Sequence, residues 1–492
     1  MQNLTSKPSK TELPYDPEDW KRGYESQPNE YDYAIADVDG EIPPELEGTL
    51  FRNGPGLLDI GGLPIQHPFD GDGMISAIAF RDGRAHYRNR YVHTEGYLEE
   101  QKAQTIRYRG VFGTQKPGGW LANAFDLRRK NIANTQVIYW GGKLLALWEA
   151  AQPHRLDPNT LETLGTDDLG GILEPGEAFA AHPRIDPRSQ FNGGKPSLVN
   201  FSITPGLSTT ITIYELAPDG GLIHKHAHSV PGFAFVHDFA ITPNYCIFLQ
   251  NPVRFNPLPY LFGLCGAGQC LNFQPNEPTR AIVIPRDPKR RSHKKLLDIE
   301  SGFVFHHVNA FETGDEIYLD SICYESLPGV DPQANFRQTD FTALEPGQLW
   351  RFNLNLTTGE VKRQMVESRC CEFPTLHPDR MGRPYRYLYL GAAHQPEGNA
   401  PLQGVLKVDL ETGDRQLWSA APRGFAGEPL FVPRPDGSSE DDGWVLVLVY
   451  NSETHQSDVV ILDGKDVNQG PVARLHLKHH IPYGLHGTFA KL

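Results

Sequence analysis

The chain has 492 residues, and 39% of them are hydrophobic, enough to fill the core of a globular protein. Lys and Arg number 46 against 60 Asp and Glu, a net charge of −14, which argues against a broad electrostatic footprint on nucleic acid. The longest unbroken apolar runs, such as Trp444 to Val449, reach strand length and fall far short of the roughly 20 residues that a membrane-spanning helix needs.

The first segment, MQNLTSKPSKTELPYD, has no apolar stretch behind its positive charges, so it reads as a polar extension at about residues 1–15 and predicts a cytoplasmic protein. Beyond it, 48 Gly and 41 Pro punctuate short β-rich runs, and no long helical periodicity stands out. In chain order the strand candidates are Leu144 to Glu149, Thr209 to Leu216, Tyr245 to Asn251, Glu316 to Tyr324, Tyr385 to Gly391 and Trp444 to Tyr450. A hairpin of one kind recurs as HRLDPNTL at His154, IYELAPDGG at Ile213, WRFNLNLTTGE at Trp350 and LKVDLETGD at Leu406. Two of the gaps are about 60 residues, the size of a four-stranded blade with a generous loop, and about seven such blades would use most of the chain. The expected fold is all-β: a seven-bladed β-propeller spanning residues 1–492 as one domain. A pair of β-sandwiches is the alternative, but no linker or composition shift divides the chain.

Six cysteines, Cys246, Cys265, Cys270, Cys323, Cys370 and Cys371, are too few for a disulfide scaffold and read as buried thiols without CxxC zinc spacing. Of the 19 histidines, most stand in polar, surface-like text such as HKHAH at His224 to His228, where solvated or hydrogen-bonded side chains are the default reading. Four stand in or beside apolar segments: His182 in FAAHPRIDP, His237 in GFAFVHDFAIT, His306 in FVFHHVNAFE and His486 in PYGLHGTFA. Any one alone would more often be a hydrogen-bonded core residue than a ligand, and spacing alone does not join them into a site.

FVHDF, FVFHHVNAFE, EPLFVPRP and a histidine close to the C-terminus resemble the motifs of the carotenoid cleavage oxygenases. RNGPG at Arg52, HPFDGDGM at His67, ANT at Ala133 and APLQGVLKVDL at Ala400 carry the resemblance through most of the chain. Within that family it runs to the cyanobacterial apocarotenoid 15,15′-oxygenases. The resemblance implies a seven-bladed propeller with one Fe(II) on its axis, held by His182, His237, His306 and His486 beneath a dome of loops. Neighbours on a strand point to opposite faces, so only one of His306 and His307 can face the axis; motif alignment selects His306.

Four neutral imidazoles leave a ferrous ion with its two positive charges, and metal-bound imidazoles generally donate their second N–H to a carboxylate or carbonyl. The family's outer glutamates match Glu149, Glu372 and Glu428, which lie in apolar or tightly turned text where an unpaired carboxylate is costly. The expectation is one glutamate behind each of His237, His306 and His486, none behind His182, and an open side next to Thr135, by resemblance, to receive O2. The implied activity is that of a non-haem dioxygenase that splits the 15,15′ double bond of an apolar apocarotenal or apocarotenol into retinal and a second carbonyl product.

Two other functions compete. Some relatives split phenolic stilbenes and hold the phenol with a tyrosine and a lysine, but Gln115 stands about where that tyrosine is sought. A propeller used only for binding is the other, and an intact set of four histidines and three glutamates argues against it. DGDG at Asp70 invites a calcium reading, yet Arg81 falls where an EF-hand loop needs its bidentate glutamate, so the segment reads as a turn. LPYLFGL reads as an apolar mouth through which Leu258, Tyr260, Leu261 and Phe262 would touch a membrane surface and admit a water-insoluble polyene. KRRSHKK at Lys289 reads as a solvated loop.

Overall fold

The computed structural model describes residues 14–206, 208–328 and 336–492, so nearly all of the expected N-terminal extension lies outside the described residues. Seven antiparallel sheets of four or more strands make up seven blades, with two small two-stranded ribbons besides. The longest helix among the described residues, Glu95–Ala103, has only nine residues. In chain order the innermost strands of blades 1 to 7 are Gln136–Trp140, Arg184–Asp186, Ala240–Ile241, Phe303–Thr313, Cys371–Thr375, Leu430–Pro433 and Gly487–Ala490. Adjacent blades meet through them: Ala240–Ile241 lies against both Arg184–Asp186 and Phe303–Thr313, and Gly487–Ala490 against both Gln136–Trp140 and Leu430–Pro433.

Strands from opposite ends of the chain close the ring twice. In blade 7, Gly487–Ala490 pairs with Gly48–Leu57, and in blade 6 Val38–Gly40 adds outside Pro471–His476. The recurring hairpins of the sequence are the outermost strand pairs of blades 1, 2, 4 and 5, as in Leu402–Asp409 with Arg415–Ser419. Three of their turns share one device, since Asp157, Asn355 and Asp409 each accept hydrogen bonds from two backbone N–H groups of the turn that follows. A short side-chain acceptor is what such a turn requires.

Apolar side chains fill the space between blades. Phe201, Ile211 and Ile213 of blade 2 are fully buried against Phe239, Phe248 and Ile282 of blade 3 and its approach. Each such side chain contributes roughly 1.5–3 kcal/mol of burial, so stability resides in these extensive faces and not at the axis.

Two connections depart from the blade pattern. One, residues 92–135, joins blade 7 to blade 1; the other, residues 251–278, is inserted in blade 3. They pack on each other: the Arg109 guanidinium donates to the Tyr260 and Cys265 carbonyls, each at 2.8 Å, and stacks 4.1 Å over the Tyr260 ring. Phe125 N–H donates to Leu261 O at 2.8 Å, and Gly266 is required because a Cβ there would lie 2.4 Å from Gly113 N. Between these segments and blade 1 lies a cavity of about 150 Å³, lined by Ile106, Tyr108, Arg109, Trp148 and Tyr260 among others.

In the HKHAH segment the hydrogen-bonded alternative holds for two of the three histidines. His226 and His228 are buried on one face of Leu222–Pro231 and hydrogen-bond to each other at 2.7 Å, and burial pulls both down to about 4. The alternation of a strand conceals two of its imidazoles, which local polarity cannot reveal. DGDG is a turn leading into the strand Asp72–Arg81, with Asp70 accepting from Phe112 and Thr114 N–H.

Candidate metal centre

Each of the seven innermost strands carries one of the predicted side chains within it or within three residues before it. Thr135 directly precedes Gln136–Trp140, His182 lies two residues before Arg184–Asp186, and His237 three before Ala240–Ile241. His306 and Glu372 lie within Phe303–Thr313 and Cys371–Thr375, while Glu428 and His486 come just before Leu430–Pro433 and Gly487–Ala490. Because a propeller points the same end of every innermost strand at one face of its channel, side chains scattered over some 350 residues of sequence converge.

The four histidines converge so that one ring nitrogen from each lies within 4.8 Å of the others. His182 Nε2 and His237 Nε2 stand 2.9 Å apart. Behind the rings, His237 Nδ1 faces Glu149 Oε1 at 3.1 Å, His306 Nδ1 faces Glu372 Oε2 at 2.6 Å and His486 Nδ1 faces Glu428 Oε1 at 2.8 Å. Among the described residues His182 has no carboxylate partner. Thr135 is tied to both sides of the group: its hydroxyl donates to Glu149 Oε2 at 3.2 Å, and its carbonyl accepts from His486 N–H at 3.1 Å.

His307 points the other way, as strand alternation requires. Its Nδ1 meets Ser321 Oγ at 2.8 Å and its backbone N–H donates to Asp238 at 2.8 Å. Asp238 also pairs with Arg184, whose guanidinium reaches the carbonyls of Phe239 and His307, so one buried ion pair joins blades 2, 3 and 4 beside three of the clustered histidines.

Electrostatics favour a neutral, acceptor imidazole at two of the four histidines, His182 and His486. Burial, reinforced by the other histidines, holds His182 well below the ordinary imidazole value. His486 is likewise lowered by burial, against the pull of Glu428. Burial lowers His306 too, but Glu372 more than reverses it. All three glutamates are pushed up by burial yet end below their ordinary value, because His237, His306, and Arg52 with His486, respectively, prefer them charged. His306 Nε2 is buried with no hydrogen-bond partner among the described residues, a costly state that a metal ion would relieve. Four imidazoles with three carboxylates behind them fit a divalent transition metal.

Several neighbours escape sequence reasoning. Arg52 pairs with Glu428, Tyr324 Oη donates to Glu372 Oε1 at 3.0 Å, and Phe305 and Phe373 stand against the imidazoles. Phe373 has a left-handed φ of 54°, held there while its N–H donates to Glu372 at 2.7 Å. Arg52 lies in the conspicuous RNGPG motif, but nothing local places it beside residue 428.

The family model described as retinal pigment epithelial membrane protein (RPE65) matches residues 24–491, nearly the whole chain. The chain belongs to the RPE65 and carotenoid cleavage oxygenase family. Within this family, the apocarotenoid-15,15′-oxygenase of Synechocystis sp. is 58% identical over 488 residues, covering 99% of each chain. The crystal structure of the cobalt-substituted Synechocystis enzyme matches with a TM-score of 0.96, covering 97% of this chain and 100% of that one, at 58% identity. A more distant member, the lignostilbene-α,β-dioxygenase isozyme III of Sphingomonas paucimobilis, is 30% identical and matches over 94% of this chain.

Proposed function

We propose that the protein is an Fe(II) oxygenase that cleaves the 15,15′ double bond of apocarotenals and apocarotenols with O2, giving retinal and a second carbonyl product. One observation carries the reading: four histidines converge, three with a carboxylate behind them, in a chain 58% identical along its length to an apocarotenoid-15,15′-oxygenase. His182, His237, His306 and His486 would hold one iron, and bound Fe(II) would supply activation of O2. Glu149, Glu372 and Glu428 fix the ring tautomers by holding the outer N–H groups, so that Nε2 lone pairs face the centre. Thr135, anchored to Glu149 and to the backbone of His486, borders the open side of the cage. Phe305 and Phe373 keep water from the rings. One C=C bond and one O2 become two C=O bonds, so no general acid or base is needed.

The apolar loops suit such a substrate. Leu258 and Phe262 are exposed, as are Leu264, Trp120, Leu121, Phe125 and Leu127, whereas Tyr260 and Leu261 are half-buried. The two segments form one patch across the Phe125–Phe262 ring contact, beside the cavity that Tyr260 helps to line. Such a patch would rest on a bilayer surface and receive a polyene from it. No helix among the described residues is long and apolar enough to cross a membrane.

Parallel incubation of the iron-loaded protein with an apocarotenal, a C40 carotenoid and a resveratrol-like stilbene tests the proposal. Retinal from the apocarotenal, at a rate well above the turnover of the other two, is the expected result. Preferred cleavage of the stilbene would overturn it in favour of the competing activity.

A further inference from the structure

The charges around the four histidines do not balance without a residue that the function has not used. Glu149, Glu372 and Glu428 carry three negative charges against the two of a divalent ion, and four neutral imidazoles add none. Arg52 supplies the missing positive charge. It is 4% exposed, and it pairs through one amino group with Glu428 while the other donates to Leu485 O at 2.8 Å. Glu428 accepts from His486 Nδ1 on one oxygen, and from Arg52 and Gly487 N–H on the other. The guanidinium therefore grips His486 from two directions, through the carboxylate behind its ring and through the carbonyl just before it in the chain. The sequence makes room for this grip: a Cβ at Gly487 would lie 2.8 Å from Arg52 Cδ.

We propose that Arg52 is a positioning residue of the metal centre, holding Glu428 and the approach to His486 while bringing the buried cage to neutrality around a divalent ion. Among the described residues neither Glu149 nor Glu372 has a cationic partner of this kind; their remaining side-chain partners there are the hydroxyls of Thr135 and Tyr324. The asymmetry fits a cage that requires only one compensating charge. Removing an outer partner of a metal-bound histidine weakens binding on the scale of 10- to 100-fold.

The proposal rests on the four histidines being metal ligands, and the test separates the two claims. Full-length protein is stripped of metal and titrated with Co(II), following dissociation constant, ligand-field absorption and thermal melting for wild type, His306→Ala, Arg52→Met, Arg52→Lys and Arg286→Met. Arg286 is the control: it is fully buried and paired with Asp186 and Glu215 at 2.7 Å each, in blades 2 and 3. Arg52→Met is expected to bind Co(II) 10- to 100-fold more weakly, with a shifted ligand-field band. Arg52→Lys, which keeps the charge but not the fork, is expected to recover part of the affinity and to serve if the methionine variant does not fold. Arg286→Met should melt earlier yet bind Co(II) with the wild-type constant and spectrum. Wild-type affinity and spectrum in both Arg52 variants, or equal loss in the Arg52 and Arg286 variants, would overturn the role of Arg52. Unchanged Co(II) binding by His306→Ala would overturn the ligand set itself.

Discussion

At the scale of single residues, His306 and His307 provide the sharpest contrast. Adjacent on one strand, they face opposite ways, one into the cluster backed by Glu372 and the other onto Ser321 and the Arg184–Asp238 pair. His306→Ala should lose most of its iron while remaining a folded β-rich protein, because the blade faces that stabilise the fold lie elsewhere; His307→Ala should retain more. Metal analysis of the two purified variants checks this, and equal loss would contradict it. Glu428 adds a pH dependence. Burial pushes its carboxyl up, and Arg52 with His486 overcomes this and brings it down to about 2. A carboxyl lower in the folded than in the unfolded chain stabilises above its unfolded value, about 4.3, and loses that contribution as pH falls toward the folded value. Metal-free protein should therefore melt progressively earlier between about pH 4.5 and pH 2, and Glu428→Gln should show a shallower decline over the same window. Identical slopes in thermal melts would contradict the pairing.

At the scale of elements, what can be read from the sequence follows strand length and turn chemistry. The outer hairpins are legible because their turns carry Asp or Asn and because their strands in blades 2, 4 and 5 run five to ten residues, and Glu316–Tyr324 is expected residue for residue. Two of the innermost strands that deliver the site are not, since Arg184–Asp186 has three residues and Ala240–Ile241 two, too short for any alternation to show. Resemblance of motifs, not periodicity, identifies the histidines they carry. The apolar loop is legible only in part: LPYLFGL stands out as a run, whereas Trp120, Leu121, Phe125 and Leu127 are spaced among polar residues and become a patch only when the two segments pack together. The residues that test membrane contact are therefore Leu121 and Leu264, which are 72% and 64% exposed, and not the half-buried Leu261. Changing both to Ser should slow turnover of substrate presented in liposomes several-fold, since each loses roughly 1.5–3 kcal/mol of apolar contact, and should leave turnover in detergent nearly unchanged. A parallel fall in both assays would mean that the patch serves the enzyme itself and not a bilayer.

At the scale of the whole molecule, the propeller turns distant sequence positions into one cage by giving each innermost strand an inward contribution, to which blade 1 adds Glu149 and blade 7 adds Arg52. Ring closure is part of the site: the strand that follows His486 pairs with Gly48–Leu57, the strand carrying Arg52, so the last histidine and its cationic neighbour arrive together from the two ends of the chain. Such long-range convergence is invisible to local sequence reading, which is why Arg52 stands in a recognisable motif without a role until the ends meet. The central claim is that this cage holds one iron and that apocarotenoid cleavage depends on it. The most direct measurement is the rate of retinal formation from an apocarotenal in air as Fe(II) is titrated into metal-stripped protein. The rate should be negligible without iron, rise linearly and level off at about one equivalent per chain, as expected for a single site with four protein ligands. Full activity without added metal, or iron bound at one equivalent with no retinal formed, would contradict it.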